Sequence, residues 1–199
     1  MGLTAVEPHM LATVVTSLEM VAKPKPKPAP PSAFRLNRWK APSPDKYRAL
    51  FHRIGAPWLW FSRLVMSDAE LIAIIDDSGI EIYAVTDARG IEIGMLELDF
   101  RVAGQMEIAF FGLIPELNGK GHGSWLMGQA LALGWRPGIQ RVWVHTCTLD
   151  HPGALGFYRK NGFIPFARAI ETFADPRVAG ILPATVAPHI PMLAGASGG

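Results

Sequence analysis

The sequence predicts an α/β fold with a mixed, mostly antiparallel central sheet flanked by helices. Three observations carry that prediction. Strand-like runs with period-two alternation crowd between residues 80 and 113. An apolar run, a glycine-rich turn and an amphipathic helix follow one another from Phe110 to Leu133. A further helix closes at Asn161-Gly162 and leads into a last strand. With 199 residues, 49% of them hydrophobic, the chain can build one domain with a substantial core plus tails. The expected division is an N-terminal extension over 1–33, a folded domain over 34–173 and a Pro/Ala/Gly-rich C-terminal tail over 174–199.

Taken in order, Thr13 to Thr16 is β-prone and reads as a short edge strand, joined either to this sheet or to a neighbour's. Residues 1–22 lack a basic segment and a cleavage site, so no signal peptide is expected. Met10 is an alternative start position that the sequence does not decide. The alternating prolines of Lys23 to Ser32 forbid helix and favour an extended, solvated linker. Phe34–Trp39 reads as the first strand of the domain. Ser43-Pro44-Asp45 starts a helix over 45–54, and Ser67-Asp68 caps another over 68–76. Between them lies the aromatic stretch Trp58, Trp60, Phe61.

Three strands follow at Ile80–Thr86, Ile91–Phe100 and Gln105–Leu113, spaced for an antiparallel meander. The alternation puts Ile91, Ile93, Met95, Glu97 and Asp99 on one face of the second. In the third it sets Met106, Ile108 and Phe110 against Glu107, Ala109 and Phe111. The helix over 122–133 carries the stripe Leu126, Ala130, Leu133, with Gly134 suited to the position just past its end. Arg141–Cys147 is a fifth strand, parallel to the third of the meander because a helix connects them. Pro152 suits the first turn of a further helix, and Phe163–Phe173 is the last strand. The final residues, GASGG, read as disordered.

The turn Asn118-Gly119-Lys120-Gly121-His122-Gly123 carries the chemistry. Unpaired N–H groups at a helix start and the helix dipole together favour a phosphate-bearing ligand. A Walker A loop does not fit, since Gly121 stands where Ser or Thr would follow Gly119-Lys120. The dinucleotide fingerprint fails as well, at Ser124 or Leu126.

The turn resembles motif A of the GCN5-related N-acetyltransferase family, Gln/Arg-x-x-Gly-x-Gly/Ala. Gly121 and Gly123 match, and Asn118 departs at the first position. His151 to Phe163 is similar to the family's motif B, with Ala154, Tyr158, Gly162 and Phe163 in register and His151 where Asn is usual. The two motifs stand in the family's order with one strand between them.

The resemblance implies acetyl-CoA as co-substrate and a primary amine as acceptor, a small molecule or a protein amine. It implies a splayed strand whose backbone, near Leu113 and Ile114, meets the pantetheine arm. It implies a diphosphate seat on the N–H groups of Asn118, Gly119, Lys120, Gly121, His122, Gly123 and Ser124, with His151 beside the cofactor. Tyr158 would protonate the leaving thiolate. Glu97 and Glu107 are candidate bases, Glu97 first because it interrupts an apolar strand face. His145 reads as a satisfied strand histidine, and the aromatics 58–61 as acceptor wall or core packing. The competing reading is a non-catalytic acyl-CoA-binding sensor or partner-binding module.

Composition bounds the partners. A net charge of +2 gives no general field for nucleic acid, and no apolar run is long enough for a membrane span. Neither partner is expected, and a homodimer is left open. One cysteine, Cys147, excludes an intrachain disulfide and suits a reducing cytosol, so the expected location is cytoplasmic. Without a Cys/His cluster no metal is expected.

Overall fold

The computed structural model describes residues 2–25 and 31–193. Residues 26–30 of the proline-lysine linker and the terminal GASGG lie outside the described residues.

Two clusters of apolar side chains, one on each face of a single sheet, organise the chain. The strands are β1 (Met10–Met20), β2 (Arg35–Trp39), β3 (Ile80–Thr86), β4 (Glu92–Asp99), β5 (Gln105–Leu113), β6 (Arg141–Cys147) and β7 (Ile164–Ala174). The helices are α1 (Pro44–Gly55), α2 (Asp68–Ile75), α3 (His122–Gly134) and α4 (Ala154–Lys160). The strand order is β2-β3-β4-β5-β6-β1-β7, antiparallel throughout except for the parallel pair β5–β6.

Alternation decides which face each side chain serves. Ile80, Ile82 and Ala84 of β3 join Tyr47, Phe51, Ile54 and Leu71 under α1 and α2. Tyr83 and Val85 turn to the other face, with Leu126, Met127 and Ala130 of α3. Ser43 caps α1 by accepting from the Lys46 N–H, and Ser67 and Glu70 form a reciprocal capping box on α2.

Four sequence expectations change. β1 is not an edge strand: it lies between β6 and β7 and spans 11 residues. Leu18 and Met20 on its inward face are core residues, which a reading confined to Thr13–Thr16 left out. Gly134 is the last helical residue of α3, not the residue after it. A Cβ there would collide with the Met106 methyl, so glycine serves close packing. Pro152 precedes the α4 cap at Gly153 and stands outside the first turn. Residues beyond β7 are not simply a tail, because Leu182 and Ala187 are buried against Ala56 and Leu59.

Two bulges break the expected faces. One lies at β3/β4, where Val85 opposes Gly94 but Thr86 opposes Glu92. It sends Ile93 to the α3 face while Met95 stays under α1. The other lies at β4/β5, where Glu97 opposes Phe110 and Leu98 opposes Ile108, leaving Ala109 as the extra residue. Phe110 therefore turns to the α1 side, and Phe111 to the α3 side.

The interior position of β1 has a measurable consequence. Leu18 is fully buried. Leu18→Ala is expected to lower unfolding free energy in denaturant by about 2–5 kcal/mol, the range for a large-to-small core change. A cost below about 0.5 kcal/mol, usual for a surface site, would contradict this placement.

Candidate active site

The parallel ladder between β5 and β6 stops early. Its pairs run from Gln105/Arg141 to Ile108/Val144, and the bulge at Ala109 follows at once. Beyond that point β5 stays with β4, and β6 stays with β1. A wedge opens between them. The Ile114 N–H donates to the Ile93 carbonyl, which fixes the hydrogen-bonding phase of β5. Alternation then turns the N–H of Leu113, and with it that of Phe111, into the wedge. Ile114, also expected to bind cofactor, has its own N–H committed to β4. The wedge widens into a cleft of about 800 Å³ that reaches from Gly119 and Gly121 to Trp58, Phe61 and Phe173.

One end of the cleft is the glycine turn. A 3-10 turn at Pro115–Leu117 leads into it, and Gly121 stands at the N-cap of α3 without any side-chain cap. Among the described residues, the N–H groups of residues 119 to 123 have no hydrogen-bond partner, while Ser124 N–H is turned back onto the Gly121 carbonyl. Gly121 has φ +82°, a left-handed conformation costly to other residues, and a Cβ there would point into open space. Free donors at and just before a helix start are the kind of arrangement that can seat anionic oxygens. Asn118, Gly119, Gly121, Gly123 and Ser124 line the cleft. Lys120 is an exposed charge beside it, and the His122 ring packs on Phe34 at 4.6 Å, leaving only its backbone to the turn.

Residues 35–163 match the model of the family described as Acetyltransferase (GNAT) family. The chain belongs to the GNAT acetyltransferase family. Solved structures share its mixed α/β fold. A GCN5-related N-acetyltransferase from Sphaerobacter thermophilus is 17% identical, with a TM-score of 0.56 over 87% of this chain and 53% of that one. An aminoglycoside acetyltransferase from an uncultured soil metagenomic sample, in complex with trehalose, is 15% identical, with a TM-score of 0.54 over 65% of this chain and 88% of that one. A functionally unknown conserved protein from Staphylococcus epidermidis is 11% identical, with a TM-score of 0.56 over 83% of this chain and 63% of that one. The chain thus spans less than two thirds of the first and last of these structures. No curated protein sequence matches it significantly.

On this GNAT frame, the residues expected to handle protons separate. Tyr158 on α4 lines the cleft among Phe111, Phe157 and Phe163. Burial pushes its phenol far above the ordinary value, and the charge of Asp150 adds to the effect, so it holds its proton at neutral pH. Glu97 does not sit as a base would. It is fully buried and does not line the cleft. The Tyr47 hydroxyl donates to its Oε2 at 2.5 Å and the Arg63 guanidinium to its Oε1 at 2.8 Å. Both oxygens are committed, and Glu97 anchors Arg63 of the α1–α2 loop. The apolar face it interrupts was a clue to burial, not to proton transfer.

Glu107 lies on the open side of the sheet and lines the cleft. Its Oε1 lies 3.2 Å from Nδ1 of His145, whose side chain is 48% exposed. The sequence alone reads His145 as a satisfied strand histidine and not as a base. The signal was its phase: Val142 and Val144 are core residues, so Trp143, His145 and Cys147 face the other way, and His145 and Cys147 line the cleft. Hydrogen bonding to Glu107 raises the His145 pKa most, partly opposed by burial, with Asp150 and Glu171 adding charge.

The remaining wall comes from the α1–α2 loop. Trp60 donates to Asp150 Oδ1 at 3.3 Å, and Asp150 Oδ2 also accepts from Thr146 Oγ1 at 2.7 Å and the Cys147 N–H at 2.9 Å. This carboxylate ties the loop to the end of β6. His151 lines the cleft, but its Nδ1 accepts from the Gly153 N–H at 3.0 Å and its ring meets Trp58. Burial and the charge of Asp150 push the Cys147 thiol up, keeping it a packed thiol. Among the described residues no group of three or more metal-type side chains gathers, and no helix is long and apolar enough to cross a membrane.

The Glu107–His145 pair predicts a titration. Glu107→Gln removes the charge that favours the imidazolium, so the His145 pKa falls. NMR titration of the His145 ring protons reads it, and an unchanged pKa would show that the two groups do not couple.

Proposed function

We propose that this chain transfers an acetyl group from acetyl-CoA to a primary amine by direct attack. One observation carries the reading: the wedge between β5 and β6, with the Leu113 N–H turned into it and free N–H groups at its end. The turn at 119–123 suits the diphosphate, and the wedge suits the pantetheine arm as an extended chain lying along β5. Acetyl-CoA supplies the activated acyl group.

The protein's own groups then divide the work. The Leu113 N–H faces the thioester oxygen, where a fixed donor stabilises developing negative charge. A primary amine is protonated at neutral pH and must lose a proton before it attacks. His145 takes that proton on Nε2, because Nδ1–H donates to Glu107 and leaves Nε2 as the acceptor. The C–N bond forms, the C–S bond breaks, Tyr158 gives its proton to the departing sulfur, and the second proton shed by the acylated nitrogen restores the Tyr158 phenol. Glu107 acts through His145, and Glu97 holds the loop in place. The base must be neutral to work, and the raised His145 pKa sets the acid limb of the rate profile above that of a free imidazole.

The test combines two measurements. Calorimetric titration with acetyl-CoA reads binding, and release of free thiol against a panel of amines reads turnover. Saturable binding with thiol release for an amine is the expected outcome. Binding with no release across the panel would favour an acyl-CoA-binding sensor, and no binding would overturn the reading. Tyr158→Phe keeps the aromatic packing and removes the proton. It is expected to lower kcat about 10²-fold or more while leaving acetyl-CoA affinity within about twofold. Full activity would reject the role.

A further inference from the structure

Residues 175–190 lie beyond the stretch that matches the family, yet they fold onto the cleft wall. The fold depends on one guanidinium. Arg177 and Asp175 form a buried pair, with side chains 1% and 4% exposed. Arg177 Nη2 donates to Asp175 Oδ2 at 2.7 Å and Nε to Oδ1 at 3.0 Å. Nη1 donates to the carbonyl oxygens of Ala187 at 3.2 Å and Ile190 at 2.8 Å. The bond to Ile190 spans 13 residues, so one side chain closes the segment on itself. Buried carbonyls need such partners, and a buried cation needs its carboxylate.

The closed segment presses on the loop after α1. Leu182 and Ala187 bury Ala56 and Leu59, with Leu11, Leu64 and Leu149 packed around them. Leu59 has φ +57°, a left-handed conformation that an apolar residue holds only when its surroundings fix it. Next to it, Trp58 meets His189 of the segment at 6.2 Å and His151 at 5.2 Å. Trp58, Leu59 and Leu149 all line the cleft.

We infer that residues 175–190 are a specificity element of the acceptor side, and that Arg177 is its positioning residue. The segment sets where Trp58 and Leu59 stand, and so which amine fits, without touching the seat at 119–123. The word acceptor rests on the acetyltransferase reading; the packing relation does not.

Two variants of the full chain test the inference, Arg177→Met and His189→Ala. The second changes an exposed residue and carries the test if the first fails to fold. Hydrogen exchange read by mass spectrometry should quicken over 56–64 in either variant and stay unchanged over 118–126. With an amine that the wild type acetylates, Arg177→Met should raise the amine KM about tenfold or more, since misplacing a wall by about 1 Å can cost that much. His189→Ala should raise it about threefold, in keeping with loss of one aromatic contact. Acetyl-CoA affinity should hold in both. Unaltered exchange over 56–64 overturns the inference, as does a KM change matched by an equal loss of acetyl-CoA affinity. If no amine is acetylated by the wild type, the functional reading fails, and the exchange result still decides whether the segment holds the wall.

Discussion

The separation of β5 from β6 is the constraint on which the rest of the site depends. A parallel ladder would use every inward N–H and C=O of both strands. Here the ladder ends at Ile108/Val144, and the extra residue Ala109 re-aims β5. Each strand is held on its other side, β5 by β4 and β6 by β1. The backbone groups that face the wedge are thus held in place without being satisfied. This is how a rigid sheet can offer a line of donors to an extended ligand. The free N–H groups at 119–123 continue that line into the start of α3.

Three buried or half-buried carboxylates hold the opposite wall. Glu97 holds Arg63 and Tyr47, Asp150 holds Trp60 and the end of β6, and Asp175 holds Arg177. Each ties a loop to a strand or closes a loop on itself. Removing one partner from a buried charge pair costs about 3–5 kcal/mol, more than most surface contacts contribute. Irregular chain at 56–64 and 175–190 can therefore hold a definite shape beside the cleft. Both Glu97 oxygens are taken up by Tyr47 and Arg63, whereas His145 and Glu107 line the open cleft.

Much of this was legible in the sequence, because periodicity and glycine placement are local signals. β3, β5 and β6 run over the residues their alternation marked, and α3 starts where the glycine turn stops. What alternation could not show was the pair of bulges, since an extra residue depends on the partner strand. Ile93 and Phe110 changed faces for that reason. The place of β1 was hidden too. Its partners β6 and β7 lie more than a hundred residues away, and nothing local announces them. Glu97 and Arg177 were misjudged or missed because a buried ion pair is defined by its distant partner, while composition at 174–199 suggested only loose chain.

A crystal structure of the protein with coenzyme A tests whether the wedge is the cofactor site. The pantetheine arm is expected between β5 and β6, its carbonyl or sulfur within hydrogen-bond reach of the Leu113 N–H, and the diphosphate on the N–H groups of residues 119 to 123. Coenzyme A bound outside the wedge, with Leu113 N–H left unpartnered and the turn empty, would contradict that placement.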